Sequence, residues 1–152
     1  MVFADFDYEE FPVVVVNFYE KPADEEEFKQ YMDELNCLLN CCSQKSSRCC
    51  LIFNCIEMEE KIPLSYAKRQ AVFLKNNKSL LEQGLSASSI IGPKWIKAVL
   101  KLIFAISPPV KPCIVTRKMD KGLNHVNKYK ENCACIIDKE MILDSLASTE
   151  SI

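Results

Sequence analysis

The chain has 152 residues, 49% of them hydrophobic, and a net charge of −2, which suits one domain around one core and leaves no basic surplus for a phosphate backbone. A nucleic acid is therefore not an expected partner. The N-terminus turns acidic at Asp5, unlike an export signal, and no apolar run reaches the roughly 20 residues that cross a bilayer, so a soluble, cytoplasmic protein is expected.

Phe3 to Tyr8 alternates apolar and acidic side chains, the pattern of an exposed edge strand. Glu9 and Glu10 turn it into a second strand, Pro12 to Tyr19, whose run of four valines marks an inner position. Pro12 can open that strand because its first residue need not donate to the ladder. Asp24 stands as the N-cap of a first helix with Glu27 three residues on, and Phe28, Tyr31, Met32, Leu35, Leu38 and Leu39 fall on one face. Polar residues from Ser43 to Arg48 close the crossover. Cys49 to Ile56 is apolar or small almost throughout, as a central strand covered by helices on both faces must be.

The loop from Glu57 to Pro63 leaves the carboxyl end of that strand, the edge where open α/β sheets place their sites. Ser65 can cap a second helix, Tyr66 to Gln83, closed by Gly84 in a left-handed conformation. Lys68, Arg69, Lys75 and Lys78 make its outer side basic, a face that is either simply solvated or offered to a partner. Leu85 to Ile91 is the next strand, and Gly92-Pro93 opens a third helix, Lys94 to Ser107.

In the third helix Lys94, Lys97 and Lys101 form one narrow basic stripe. Trp95, Ile96, Val99, Leu100, Leu102, Ile103, Phe104 and Ile106 nearly encircle the rest, more than one sheet face can bury. Either the helix is sandwiched between the sheet and a neighbouring helix, or it offers a second apolar face to a partner subunit or a membrane surface, with the lysines against anionic headgroups.

Ser107 to Pro112 breaks that helix, Cys113 to Thr116 is a last strand, and Asp120 to Lys130 a closing helix with Leu123, Val126 and Tyr129 at three-residue spacing. Cys133 to Ile137 and Met141 to Leu146 are apolar enough to dock as a further strand or helix, and Ala147 to Ile152 reads as a frayed tail. The domain is thus placed at 1–137, with 138–152 as a C-terminal extension, partly helical and then frayed.

Nine cysteines, an odd number, lie largely in apolar runs and read as reduced thiols. The adjacent pairs Cys41-Cys42 and Cys49-Cys50 point their side chains apart, there is no CxxC hook, and His125, the one histidine, reads as a packing or surface residue. With three glycines, the chain carries neither GxGxxG nor a P-loop, and GxSxG is absent. No catalytic residue, cofactor or metal is assigned, and a non-enzymatic protein is expected.

The order of elements resembles that of a STAS domain, and more closely the SpoIIAA-like, lipid-carrier-like branch of that family. The resemblance is carried by Phe11-Pro-Val-Val-Val-Val-Asn-Phe, Pro22-Ala-Asp-Glu-Glu-Glu-Phe, Leu51-Ile-Phe-Asn, Lys68-Arg-Gln-Ala-Val-Phe-Leu and the Pro-Pro-Val-Lys-Pro turn, and spans Tyr8 to Lys130. It implies a single small α/β domain with a mainly parallel four- to five-stranded sheet, an N-terminal hairpin and about four helices. It also implies regulatory or scaffolding action through protein contacts. In the wider family a serine at the start of the helix after the central strand is phosphorylated. Ser65 sits at that place, with Pro63-Leu-Ser-Tyr where the family carries an Asp-Ser-Ser-Gly type of motif.

Two sets of contact residues follow. Ser65, Tyr66, Lys68 and Arg69 are candidates for a protein partner, a second copy of the chain included. Trp95, Val99, Leu102 and Ile103, with Lys94, Lys97 and Lys101, are candidates for an apolar interface or, as the alternative, for a lipid or membrane surface.

Overall fold

The β-branched run Val13–Phe18 (β2) pairs antiparallel with Ala4–Asp7 (β1) and parallel with Cys49–Asn54 (β3). In the computed structural model, which describes residues 3–22, 24–59, 61–133 and 139–150, Leu85–Ile91 (β4) and Cys113–Thr116 (β5) extend the sheet. The order is β1-β2-β3-β4-β5, parallel throughout except for β1. The expected single α/β domain with a mainly parallel sheet and an N-terminal hairpin is what the chain forms.

Every crossover steps the same way along this sheet, and right-handed connections then lay successive helices on one face. Glu25–Gln44 (α1), Leu64–Asn76 (α2), Lys78–Gly84 (α3) and Trp95–Ile106 (α4) supply the larger core, with Phe28, Leu35, Leu38 and Leu39 of α1 buried against Val14, Val16 and Leu51. Met119–Asn127 (α5) covers the other face, where Val13, Cys50, Ile52, Ala87, Ile91 and Val126 form a smaller core. A short 3-10 turn, Lys130–Asn132, precedes Lys139–Glu150 (α6), which runs beside α1 and buries Ile142 completely. The period of two along β3 sends Cys49 to the first core and Cys50 to the second, so these neighbours do point apart.

Asp24 caps α1 as expected, its carboxylate accepting the Glu27 N–H at 3.0 Å while Glu25 to Glu27 place negative charge at the positive end of the helix. Several expectations are corrected. The first helix runs through Gln44, so Ser43 belongs to it, and Ser46 makes the exit in the left-handed region at φ 54°. β3 stops at Asn54: Cys55 still donates its N–H to the Ile91 carbonyl at 2.7 Å, and Ile56 is exposed beyond it.

Ser65 is not a cap. It lies inside the first turn of α2, and Pro63 holds the cap position, its carbonyl accepting the N–H groups of Tyr66 and Ala67 at 3.0 and 3.2 Å. The expected continuous helix is two, divided at Asn77, whose backbone N–H and side-chain amide both donate to the Phe73 carbonyl, at 3.0 and 2.8 Å. Gly84 does not adopt a left-handed φ. It is the last residue of α3, and the position needs glycine because a Cβ there would stand 2.8 Å from the Leu39 carbonyl oxygen, closer than backbone allows.

In α5 the inward residues are Gly122 and Val126, whereas Leu123 is 36% exposed. The described residues hold six α-helices, more than the four expected, because the second helix divides and α6 follows. Of the segment Cys133 to Ile137, only Cys133 is among the described residues, and the end of the tail, 151–152, lies outside them.

An apolar cavity beneath α4

Helix α4 runs closest to α2 and stands off the sheet. Ile96, Leu100 and Ile103, spaced along one side, are buried; Trp95, Val99, Leu102, Phe104 and Ile106 flank them half-buried. Lys94, Lys97 and Lys101 are exposed together with Ala98 and Ala105, so the outer side of α4 carries no large exposed apolar residue. The apolar majority of this helix is turned inward, between α2 and the sheet.

What it faces is a cavity of about 160 Å³. Leu51, Phe53 and Ile90 form its floor on the sheet, Tyr31 and Leu35 of α1 one end, Ala67, Gln70 and Leu74 of α2 one wall, and Trp95, Ile96, Val99, Leu100, Ile103 and Phe104 the roof. Met58 and Ile62 from the loop after β3 and Pro108 to Lys111 from the linker before β5 complete it. The space exists because small side chains meet there: Ala67 on α2, Ser88 on β4 and Cys113 on β5 leave a gap under α4 that no large residue fills. The cavity is neither sealed nor a flat groove, and its lining is overwhelmingly apolar.

Its few polar groups are quiet at neutral pH. Burial pushes the Cys55 thiol up to about 12 and raises the Cys113 thiol, which a hydrogen bond with Ser88 only partly offsets. Burial raises the Tyr31 phenol too, against the lowering effect of its hydrogen bond with Gln70. Lys111, half-buried, brings a positive charge to the lining.

The two expected sets of contact residues separate in space. Trp95, Val99 and Ile103 line the cavity, Leu102 does not, and the three lysines lie on the solvent side of the same helix. At the start of α2, Ser65, Lys68 and Arg69 are exposed, and Tyr66 and Arg69 also contact α1. The Tyr66 ring packs against Phe28 at 4.8 Å, and the Arg69 guanidinium lies 4.8 Å over the same ring and pairs with Glu25. His125 packs near Tyr129, with a ring nitrogen 3.4 Å from the Pro112 carbonyl.

Sequence reasoning did not mark Tyr31, Gln70, Ser88, Lys111 or Pro108-Pro109 as lining a cavity. The one available signal was the polarity of a strand that is buried along its whole length, with Ser86, Ser88 and Ser89 among its seven residues. Among the described residues no helix is long and apolar enough to cross a membrane. No family model matches the chain, and no curated protein matches it.

Proposed function

We propose that the chain is a STAS-like, non-enzymatic binding domain that takes the acyl chain of a lipid into the cavity beneath α4. The observation that carries this reading is the cavity itself. Its volume of about 160 Å³ is close to that of engineered apolar cavities of about 150 Å³ that stay dry and accept benzene, so it has room for about six ligand heavy atoms. A longer chain extends through the open side. Lys111, the charged residue among the described lining, favours a carboxylate or phosphate headgroup. The thiols and phenol of the lining are held protonated, which suits holding a ligand better than attacking one.

Trp95, the single tryptophan, lies in the wall and reports occupancy. Titration with cis-parinaric acid, a fluorescent fatty acid, is expected to give energy transfer from Trp95 that saturates at one ligand per chain. Transfer that rises linearly without saturating speaks against the cavity as a ligand site.

A specific observation favours a protein contact at a second place. On the outer side of α2, Leu64 and Val72, two turns apart with Lys68 between them, are 59% and 48% exposed. A second copy of the chain is the partner to test first. Sedimentation is expected to show a concentration-dependent dimer that Leu64→Asp abolishes; a mass independent of concentration removes that partner.

A further inference from the structure

The second sheet face holds a pair of thiols that the cavity does not use. Cys50 on β3 and Cys133, just after the 3-10 turn, come from positions 83 residues apart and place their sulfurs 3.9 Å from each other. Cys50 is fully buried and Cys133 is 5% exposed. We propose that Cys50 and Cys133 are an oxidation site: a thiol pair that closes to a disulfide in the presence of a hydroperoxide and ties the central strand to the segment following α5.

The sulfurs are already in van der Waals contact. A disulfide needs them about 2.05 Å apart, so the two must close in by about 2 Å from their 3.9 Å separation. Each sulfur also lies near a carbonyl of the same corner, Cys50 at 3.7 Å from that of Val126 and Cys133 at 3.9 Å from that of Tyr129, so the pair sits in a fixed backbone frame. The surroundings distinguish the two roles. Hydrogen bonding with Cys50 draws the Cys133 thiol below its ordinary value against the opposing effect of burial, helped by Ser86 and the positive charges of Arg48 and Lys130. Cys133 is therefore the attacking sulfur, and Cys50, behind it, the resolving one.

In the first step the Cys133 thiolate attacks one peroxide oxygen. The O–O bond breaks, the leaving oxygen takes a proton and departs as water from hydrogen peroxide or as an alcohol from an organic hydroperoxide, and Cys133 becomes a sulfenic acid. In the second, the Cys50 sulfur displaces that hydroxyl: the S–S bond forms, the S–O bond breaks, and hydroxide leaves with the Cys50 proton as water. The two sulfurs together lose two electrons, and the peroxide gains two.

A second close pair serves as an internal control. Cys42 of α1 and Cys49 of β3 share a hydrogen bond on the opposite sheet face, are both completely buried between the helix and the sheet, and Cys49 is held well above the ordinary thiol value by that hydrogen bond and by burial. It is expected to stay reduced.

The test treats the full chain with hydrogen peroxide, alkylates the remaining thiols, and maps the digest by tandem mass spectrometry. The expected product is a Cys50–Cys133 cross-link lighter by two hydrogens, with Cys42 and Cys49 alkylated. In Cys50→Ser and Cys133→Ser its yield falls more than tenfold, while Cys49→Ser and Cys135→Ser retain it. A wild-type chain that forms no such cross-link, or one whose cross-link maps to Cys135 or survives Cys50→Ser, overturns the proposal. The wild-type map decides even where a variant fails to fold.

Discussion

Ile103→Asp is expected to destabilise the domain by about 4 kcal/mol, the sum of the lost apolar burial and the cost of placing a carboxyl group in an apolar wall. Ile103 is 7% exposed and forms part of the cavity roof, and among the described lining residues Lys111 alone carries a charge to set against the new group. Against a usual domain stability of about 5–15 kcal/mol, much of the population unfolds under mild denaturant. Lys101→Glu, two residues earlier and on the solvent side, should change stability by no more than about 0.5 kcal/mol. Urea unfolding followed by Trp95 emission measures both. A cost below about 1 kcal/mol for Ile103→Asp means that this side of α4 is wet, and returns the helix to the outward-facing reading.

Much of the architecture was legible because it depends on local chemistry. The valines of β2, the carboxylate of Asp24 before three glutamates, and the bounds of β4 and β5 each state their structure within a few residues. The errors arose where the deciding contact is distant in sequence. Gly84 reads as a left-handed helix stop, but its reason is the Leu39 backbone of α1, which no local pattern shows. Ser65 reads as a cap, but Pro63 supplies the turn through its own carbonyl.

The site was legible only in part, for a related reason. The eight apolar residues of α4 correctly exceed what one sheet face can cover, yet the sequence does not say whether the excess meets water, a partner or an internal space. A cavity is a deficit of volume among facing residues. It needs Ala67, Ser88 and Cys113, from three separate elements, to arrive together, whereas a hydropathy pattern records polarity and not size. The sulfur pair Cys50 and Cys133 is hidden in the same way, by 83 residues of separation.

Volume also gives the most direct test of the cavity. Val99→Phe keeps the wall apolar but adds a ring to a space with room for about six heavy atoms, so side chain and ligand compete for the same place. Affinity for cis-parinaric acid should fall at least about tenfold, equivalent to about 1.4 kcal/mol. The urea midpoint should hold or rise, because the ring fills space that the wild-type protein leaves empty. Leu102→Phe makes a similar addition one turn away, on a residue of α4 that does not line the cavity, and is expected to leave affinity within about twofold. The two substitutions add apolar surface to the same helix and differ in where it points. If Leu102→Phe changes binding while Val99→Phe does not, the ligand lies against the outside of α4, and the lysine stripe there becomes its contact surface in place of the interior wall.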